Sequence, residues 1–401
     1  MSVPLDRLYH YLDDCVNHNL LIYGWMPHGS RKLEDFTPWN YYSQQQMSTG
    51  MPLICHDQEP LNFTQYSPNQ IANFVRQNLT NYNLEKYCCD AVLKHLSEQH
   101  LRGIMHLNNP YDCVILLHSE LNSSQVDLFA QAGFVPAYYW SHALISQDWF
   151  RYAEHDPSLK FNPARIKKDF LIYNRAWQGT REYRLYFTEK LIENQLLNYC
   201  QTTFNPQDGC HYSQHIFKNK TFQITNYTIE QHLSPTQFTP TSSADYNNKD
   251  YSATGIEVVL ETLFDDTRWH LTEKTLRPIA CGRPFLLAAT PGSLQYLRMY
   301  GFKTFSGLIN ESYDQITEPH LRLQAIILEM KRITNLSTWQ KQKLYKELDE
   351  ICQYNQQHFF HKLSNQVITE FKDNVNQSIG IMQKNCTGQN FVTILEILKH
   401  N

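Results

Sequence analysis

A chain of 401 residues exceeds what one hydrophobic core ordinarily organises and points to two domains of roughly 100–200 residues each. With 42% hydrophobic, 13% aromatic and only 18% charged residues it has ample material for buried sheets, which excludes intrinsic disorder. The net charge of −4 removes the whole-chain argument for a nucleic-acid binder and leaves only a local basic groove, while the absence of a bilayer-length apolar run or signal-peptide core makes the cytoplasm the expected location, with no membrane insertion.

The chain opens with helical periodicity at Leu5, Leu8, Tyr9, Leu12, Cys15 and Val16, then a strand over residues 20–23 and a loop at 24–29. A second strand, 52–55, runs directly into His56-Asp57-Gln58-Glu59, two carboxylates and an imidazole with the composition of an acid–base cluster. After a helical stretch at 84–98, an apolar strand at 112–117 ends in His118-Ser119-Glu120. Ser123 then caps a helix over 123–132, Gly133 stops it, and a strand at 134–139 ends in Trp140-Ser141-His142. Three strands ending in histidines or acids on one sheet edge point to a ligand cleft. The ring-rich helix at 143–154 reads as a packing helix, and the Pro, Asn and Lys of 156–168 read as an interdomain linker.

A strand at 170–173 opens the second half and leads through Asn174 and Arg175 to Arg181, at the start of a helix running to residue 197. The polar stretch 201–254 contains a strand-like piece at 221–224 and a long loop, 233–254, of the kind that forms lids. The segment 255–305 is the clearest. A strand closes on Glu261, a polar loop follows, and Thr272-Glu273-Lys274 opens a helix that Gly282 ends. A strand at 284–289, a short helix after Pro291-Gly292-Ser293 and an apolar piece at 302–305 complete the run. These are successive βα units, whose loops lie at the carboxyl ends of parallel strands. A cation in the first helical turn, such as Lys274, favours a phosphate there, and Arg181 repeats the pattern. Helices follow at 320–333, 339–353 and 391–398.

The ten cysteines (15, 55, 88, 89, 113, 200, 210, 281, 352 and 386) lack paired CxxC spacing and read as reduced core residues; Asp265-Asp266 reads as solvated acids rather than a metal pair. No GxGxxG or GxxxxGK[ST] is present, which removes support for dinucleotide oxidoreductases and P-loop NTPases.

The expected fold is α/β, with two domains facing a cleft: residues 1–165 for an acceptor, 166–360 for a nucleotide sugar, and helices at 361–401 returning to the amino-terminal domain. Arg181 and Lys274 suit a diphosphate, and Glu261 and Glu273 suit ribose or sugar hydroxyls. Asp57, Glu59 and Glu120, with His118 and His142, are the candidates for a base, and His56, His118, Trp140 and His142 for contact with an acceptor. This division fits sugar transfer from a nucleoside-diphosphate donor to a hydroxyl.

Glu261, then Thr272-Glu273-Lys274 and Arg277, then Gly282 and Pro284-Phe285, resembles the donor-binding signature of the α1,3-fucosyltransferases, and Asn174 and Arg181 keep that family's upstream spacing. The resemblance covers about residues 170–290. It departs at Tyr173, where the family has serine, and in the lengths of the Glu261–Glu273 and Gly282–Pro284 intervals. It implies a GT-B fold of two Rossmann-like domains and an inverting, metal-independent glycosyltransferase without further cofactor, using a GDP- or UDP-linked donor. In it Lys274 and Arg181 hold the diphosphate, Glu273 the ribose, Glu261 the sugar, and Asn174 and Arg277 complete the donor site. The amino-terminal half, with Cys55-His56-Asp57-Gln58-Glu59-Pro60-Leu61, Leu117-His118-Ser119-Glu120, Tyr139-Trp140-Ser141-His142 and Asp148-Trp149-Phe150-Arg151-Tyr152, looks like glycosyltransferases encoded by tailed bacteriophages. That likeness implies an acceptor in hydroxymethylated cytosine of phage DNA, a sugar such as arabinose, and action in the cytoplasm of a bacterial host. The alternatives are a fucosyltransferase-like enzyme acting on a glycan or lipopolysaccharide, and a non-catalytic sugar-nucleotide or glycan-binding protein.

Overall fold

The structure, a computed structural model, describes residues 20–25, 37–38, 51–56, 60–61, 115–131, 134–239 and 242–385. These fall into two compact units, divided between Ser141 and His142 and again between Gln366 and Val367.

The first unit carries a sheet of β1 (Leu20–Trp25), β2 (Thr37–Pro38), β3 (Met51–His56), β4 (Ile115–His118) and β5 (Val135–Tyr138), in the order β2-β1-β3-β4-β5. β1, β3, β4 and β5 are parallel, and the two-residue β2 runs antiparallel along β1. β4 is buried at every position, as an unbroken apolar run in a parallel sheet requires. Helix α1 (Ser124–Gln131) connects β4 to β5 and turns Phe129 inward, edge-to-face on Phe134 with ring centroids 5.3 Å apart.

The second unit begins with α2 (Ser141–Trp149), which stops before Phe150 rather than running on to residue 154, the chain continuing in short 3₁₀ turns. Its sheet contains β6 (Lys168–Asn174), β7 (Cys200–Phe204), β10 (Thr254–Leu260) and β11 (Phe285–Ala288), all parallel, in the order β11-β10-β6-β7. A two-strand hairpin, β8 (Gln207–Asp208) and β9 (Cys210–His211), stands apart. Helix α3 (Tyr183–Glu193) crosses from β6 to β7 and ends four residues before the expected 197, because Gln195 takes a left-handed φ of 57°. Helix α4 (Glu273–Ala280) crosses from β10 to β11, and α5 (Ser293–Met299), α6 (Pro319–Thr334) and α7 (Thr338–His361) follow.

Every residue of β10 is buried. Gly255 allows α7 to lie against this strand: a Cβ there would come within 2.6 Å of the Tyr345 hydroxyl. Tyr345 and Lys341 both reach Asp169 at the start of β6, at 3.1 and 2.6 Å, so α7 is tied to the sheet by polar as well as apolar contacts. The chain leaves β6 toward β7 on one side and enters β10 and β11 on the other. The crevice at the carboxyl ends of β6 and β10 is therefore the topological switch point, where open α/β sheets bind ligands.

The last helix, α8 (Leu363–Asn385), passes from the second unit into the first. There it packs on the outer strand of the sheet: Phe371 meets Tyr139 edge-to-face at 5.4 Å, and the Asn374 and Ser378 side chains donate to the carbonyls of Tyr138 (2.8 Å) and Pro136 (3.0 Å).

The protein is thus an α/β protein with one four-stranded parallel sheet and a second sheet of four parallel strands that carries β2 as an antiparallel edge. The strand-like piece expected at 221–224 is not a strand, its first two residues belonging to the 3₁₀ turn Lys220–Phe222, and the apolar piece at 302–305 is followed by an isolated bridge between Ser306 and Ile309. The helices expected near residues 5–16, 84–98 and 391–398 lie outside the described residues. Among those described, no helix is long and apolar enough to cross a membrane.

Candidate functional site

The site is built where β10 gives way to α4. The chain leaves Leu260 with Glu261 fully buried, and its carboxylate turns back onto the loop and helix that follow. Oε1 accepts from the Thr272 N–H (2.9 Å), the Thr275 N–H (3.3 Å) and the Thr275 hydroxyl (2.5 Å). Oε2 accepts from the Thr272 hydroxyl (2.8 Å) and the Thr262 N–H (3.1 Å). A carboxylate offers about four lone-pair sites, so five donors saturate it. Glu261 thereby supplies the negative charge that a helix N-terminus favours and anchors α4 to the strand end. This corrects the sugar-binding expectation: the carboxylate has no acceptor capacity left for a hydroxyl.

Thr272 caps α4, accepting from the Lys274 N–H, and places Glu273 and Lys274 in the first turn. The Lys274 ammonium contacts Glu273 Oε1 at 2.9 Å and Thr272 Oγ1 at 3.2 Å, a quarter of its side chain remaining exposed. An ammonium carries three donors, so the third can take a ligand. The other Glu273 oxygen stands 3.7 Å from Nδ1 of His142, in the first turn of α2. His270, from the loop before α4, packs edge-to-face on His142 at 5.4 Å. Burial alone would raise the Glu273 carboxyl, but Lys274 and His142 outweigh it and hold it down at about 2. Glu273 is therefore an ionised, nearly buried carboxylate held between an ammonium and an imidazole.

The floor of the crevice is filled by the protein itself. Arg184, buried in α3, donates to the carbonyls of Ala176 (2.6 Å), Leu260 (2.7 Å) and Glu261 (3.0 Å), and the Tyr183 hydroxyl donates to Glu261 O at 2.6 Å. These two side chains join the exit of β6 to the exit of β10. Arg181 lies just before them in the 3₁₀ turn Gly179–Arg181, partly exposed. Sequence reading passed over Arg184, Tyr183, Thr275 and His270; the available signal was an arginine on the inner face of an otherwise apolar helix.

Two expected donor ligands, Arg277 and Asn174, make contacts within the protein. Arg277 lies in the last turn of α4, where it makes a buried 2.7 Å ion pair with Glu257, donates to the Tyr251 hydroxyl and lies over the Tyr173 ring at 4.3 Å. Its guanidinium holds a strand carboxylate in the core and is not at the helix start. The fully buried Asn174 amide donates to Arg184 O and Thr188 Oγ1, which docks α3 on β6. Glu120, expected as a base, accepts from the Leu61 N–H through one oxygen and from the Ser123 hydroxyl through the other, which holds its loop.

In that first unit His118 is buried against Tyr138, edge-to-face at 5.8 Å, and burial lowers its imidazole to about 4, so it is neutral at pH 7. Trp140 is fully buried, a core residue rather than a stacking platform. His56 ends β3, in register with Trp25 of β1. Asp57 and Glu59, the other two carboxylates expected to act as a base, lie outside the described residues.

A cavity of about 690 Å³ opens in the loop after α5, lined among others by Arg298, Glu311, Asp314 and Arg332. None of the residues expected from sequence lines it. Four cysteines, 200, 210, 281 and 352, are free thiols, and all but Cys210 are buried. Comparison of the chain with models of known families, with curated proteins and with solved structures finds no match, so a functional reading rests on the residues described above.

Proposed function

We propose that the protein is an inverting glycosyltransferase of the GT-B type, its two α/β units being Rossmann-like domains, that moves a sugar from a nucleoside-diphosphate donor to an acceptor hydroxyl. The observation that carries this reading is the Glu273–Lys274 pair in the first turn of α4, at the switch point of a parallel sheet. The Lys274 ammonium, two of whose three donors are engaged, takes the diphosphate with the third, and Arg181 at the neighbouring strand exit is the second cation. Cations so placed stabilise the charge on the departing diphosphate without a metal ion. Glu273, ionised throughout the physiological range, accepts from a ribose hydroxyl. Glu261 acts through the position of α4. The base that deprotonates the acceptor is one of the carboxylates Asp57, Glu59 and Glu120 of the first unit.

Calorimetric titration with GDP and UDP tests the donor side. One of them binds the wild type, and Lys274→Ala weakens it about tenfold or more, roughly 1.4 kcal/mol; equal affinity in both proteins would remove Lys274 from the site and the reading with it. Turnover is tested by diphosphate release from a donor panel. Hydroxymethylcytosine DNA is the first acceptor, followed by nucleoside mass spectrometry, and glycans are the second. Donor binding with no release on any acceptor would leave a sugar-nucleotide-binding protein in its place.

A further inference from the structure

Beside Arg181, on the loop after β6, another group of side chains has the order of a nucleophilic centre. Asp208 Oδ2 accepts from the backbone N–H groups of Trp177 and Gln178, both at 2.8 Å, and the Trp177 indole donates to Asn205 O at 2.8 Å. These bonds fasten the β8–β9 hairpin to the loop after β6. At the hairpin turn Gly209 has a φ of +77°, and a Cβ there would stand 2.7 Å from Gln178 Nε2, so only glycine lets the amide lie over the turn. Gln178 Nε2 reaches Cys210 Sγ at 3.6 Å.

The same sulfur faces Nδ1 of His215 at 3.9 Å, and Nε2 of His215 is 2.7 Å from Glu182 Oε1. Glu182 is buried and also accepts from the N–H groups of Lys218 (2.9 Å) and Asn219 (2.8 Å), which fixes its carboxylate. Trp177 packs edge-to-face on the imidazole at 5.0 Å. A carboxylate at Nε2 draws the ring proton there and leaves Nδ1 to accept from the thiol. Cys210 is half-buried, whereas Cys200, Cys281 and Cys352 are closed off. Among the described residues no three His, Cys, Asp or Glu side chains converge as metal ligands, so a thiolate–metal centre is not what these groups form.

We propose that Cys210 is a nucleophilic thiol with His215 as its general base, Glu182 as the residue that positions the imidazole and Gln178 as an amide donor, and that it takes an acyl group from a thioester or activated ester. The Sγ–H proton passes to Nδ1 as Sγ bonds the acyl carbon and the carbonyl π pair moves onto oxygen, within reach of the Gln178 amide. When that pair returns, the bond from the acyl carbon to the leaving oxygen or sulfur breaks, and the leaving atom takes the proton from Nδ1. Water, deprotonated by His215, then attacks the thioester, releasing the carboxylic acid and restoring the thiol.

The probe is p-nitrophenyl acetate on the full chain. The wild type gives a burst of about one equivalent of nitrophenolate, and peptide mass spectrometry finds the acetyl group on Cys210. Cys210→Ser abolishes the burst, and His215→Ala slows it about 100-fold, with partial recovery in added imidazole. If His215→Ala does not fold by circular dichroism, His215→Gln replaces it. Glu182→Gln slows acylation per folded molecule and Glu182→Asp recovers part of the loss, which a purely structural carboxylate would not do. Acetylation of the wild type no faster than of the His215 variant, or found on another residue, overturns the proposal.

Discussion

Replacing Glu261 by glutamine changes one atom of a carboxylate that five donors share, which makes it a sharp probe of whether this group builds α4 or binds a ligand. With the amide oxygen at the Oε1 position, the bonds from Thr272 N and Thr275 remain. The new NH₂ then confronts the Thr262 N–H, 3.1 Å away, and forces the Thr272 hydroxyl to reverse. One charge-assisted hydrogen bond is lost, worth about 1.5–3 kcal/mol, together with a negative charge at a helix N-terminus, worth about 0.3–1 kcal/mol. The local loss is therefore about 2–4 kcal/mol. Where reclosing is fast, backbone amides spanning 262–276 then exchange roughly 30-fold faster or more, at about 1.4 kcal/mol per decade. Hydrogen-exchange mass spectrometry reads this directly, with α6 as the internal control. Unchanged exchange over 262–276 alongside a loss of donor affinity would refute the reasoning and return Glu261 to the sugar.

Arg277→Met leaves Glu257 buried without its cation, and chemical denaturation should show a loss of about 3–5 kcal/mol, partly restored in Glu257→Gln/Arg277→Met; a wild-type midpoint in the single variant contradicts the burial of the pair. His118 has its folded-state value lowered from 6.5 to about 4, so the unfolded chain binds the extra proton between those values. Stability should fall as pH drops from 6.5 toward 4, by up to about 3 kcal/mol, and His118→Asn should flatten that slope in denaturation curves taken across the range. Glu273, lowered from 4.5 to about 2, contributes stability that is complete above pH 4.5 and is lost as pH falls toward 2. The acid limb of the wild type should therefore be steeper than that of Glu273→Gln, and parallel limbs would count against the Lys274 and His142 contacts.

The β6, β10 and β11 strands were legible because each is a short apolar run closed by a polar or turn residue, and α4 because Thr272-Glu273-Lys274 is a helix opening in itself. What a carboxylate at a strand end does was not legible. Glu261 and Glu273 look alike in sequence, and only the folding-back of Thr272 and Thr275 onto Glu261 separates an anchor from a free ligand group. Arg277 was open to a better reading. Glu257 lies inside the apolar run of β10, and a charge buried there calls for a partner, which a nearby arginine on the inner side of the following helix supplies. The grouping of Cys210, His215 and Glu182 depends on a two-residue hairpin returning to a loop about 30 residues upstream, a contact that no local periodicity announces.

The position of α8 against β5 has a consequence for the order of events during synthesis. β5 is the outermost strand of its sheet, and the Asn374 and Ser378 side chains occupy two of its carbonyls. Those residues emerge from the ribosome 236 to 242 positions after their acceptors, which at about 5–20 residues per second is a delay on the order of 10–50 s. Through that interval the nascent chain carries an unprotected strand edge, a template on which a neighbouring chain can add a strand. Chains truncated after Gln366 should therefore cross-link to one another or recruit chaperone more than full-length chains released from the ribosome. Equal capture of the two would mean that another part of the chain shields β5 first.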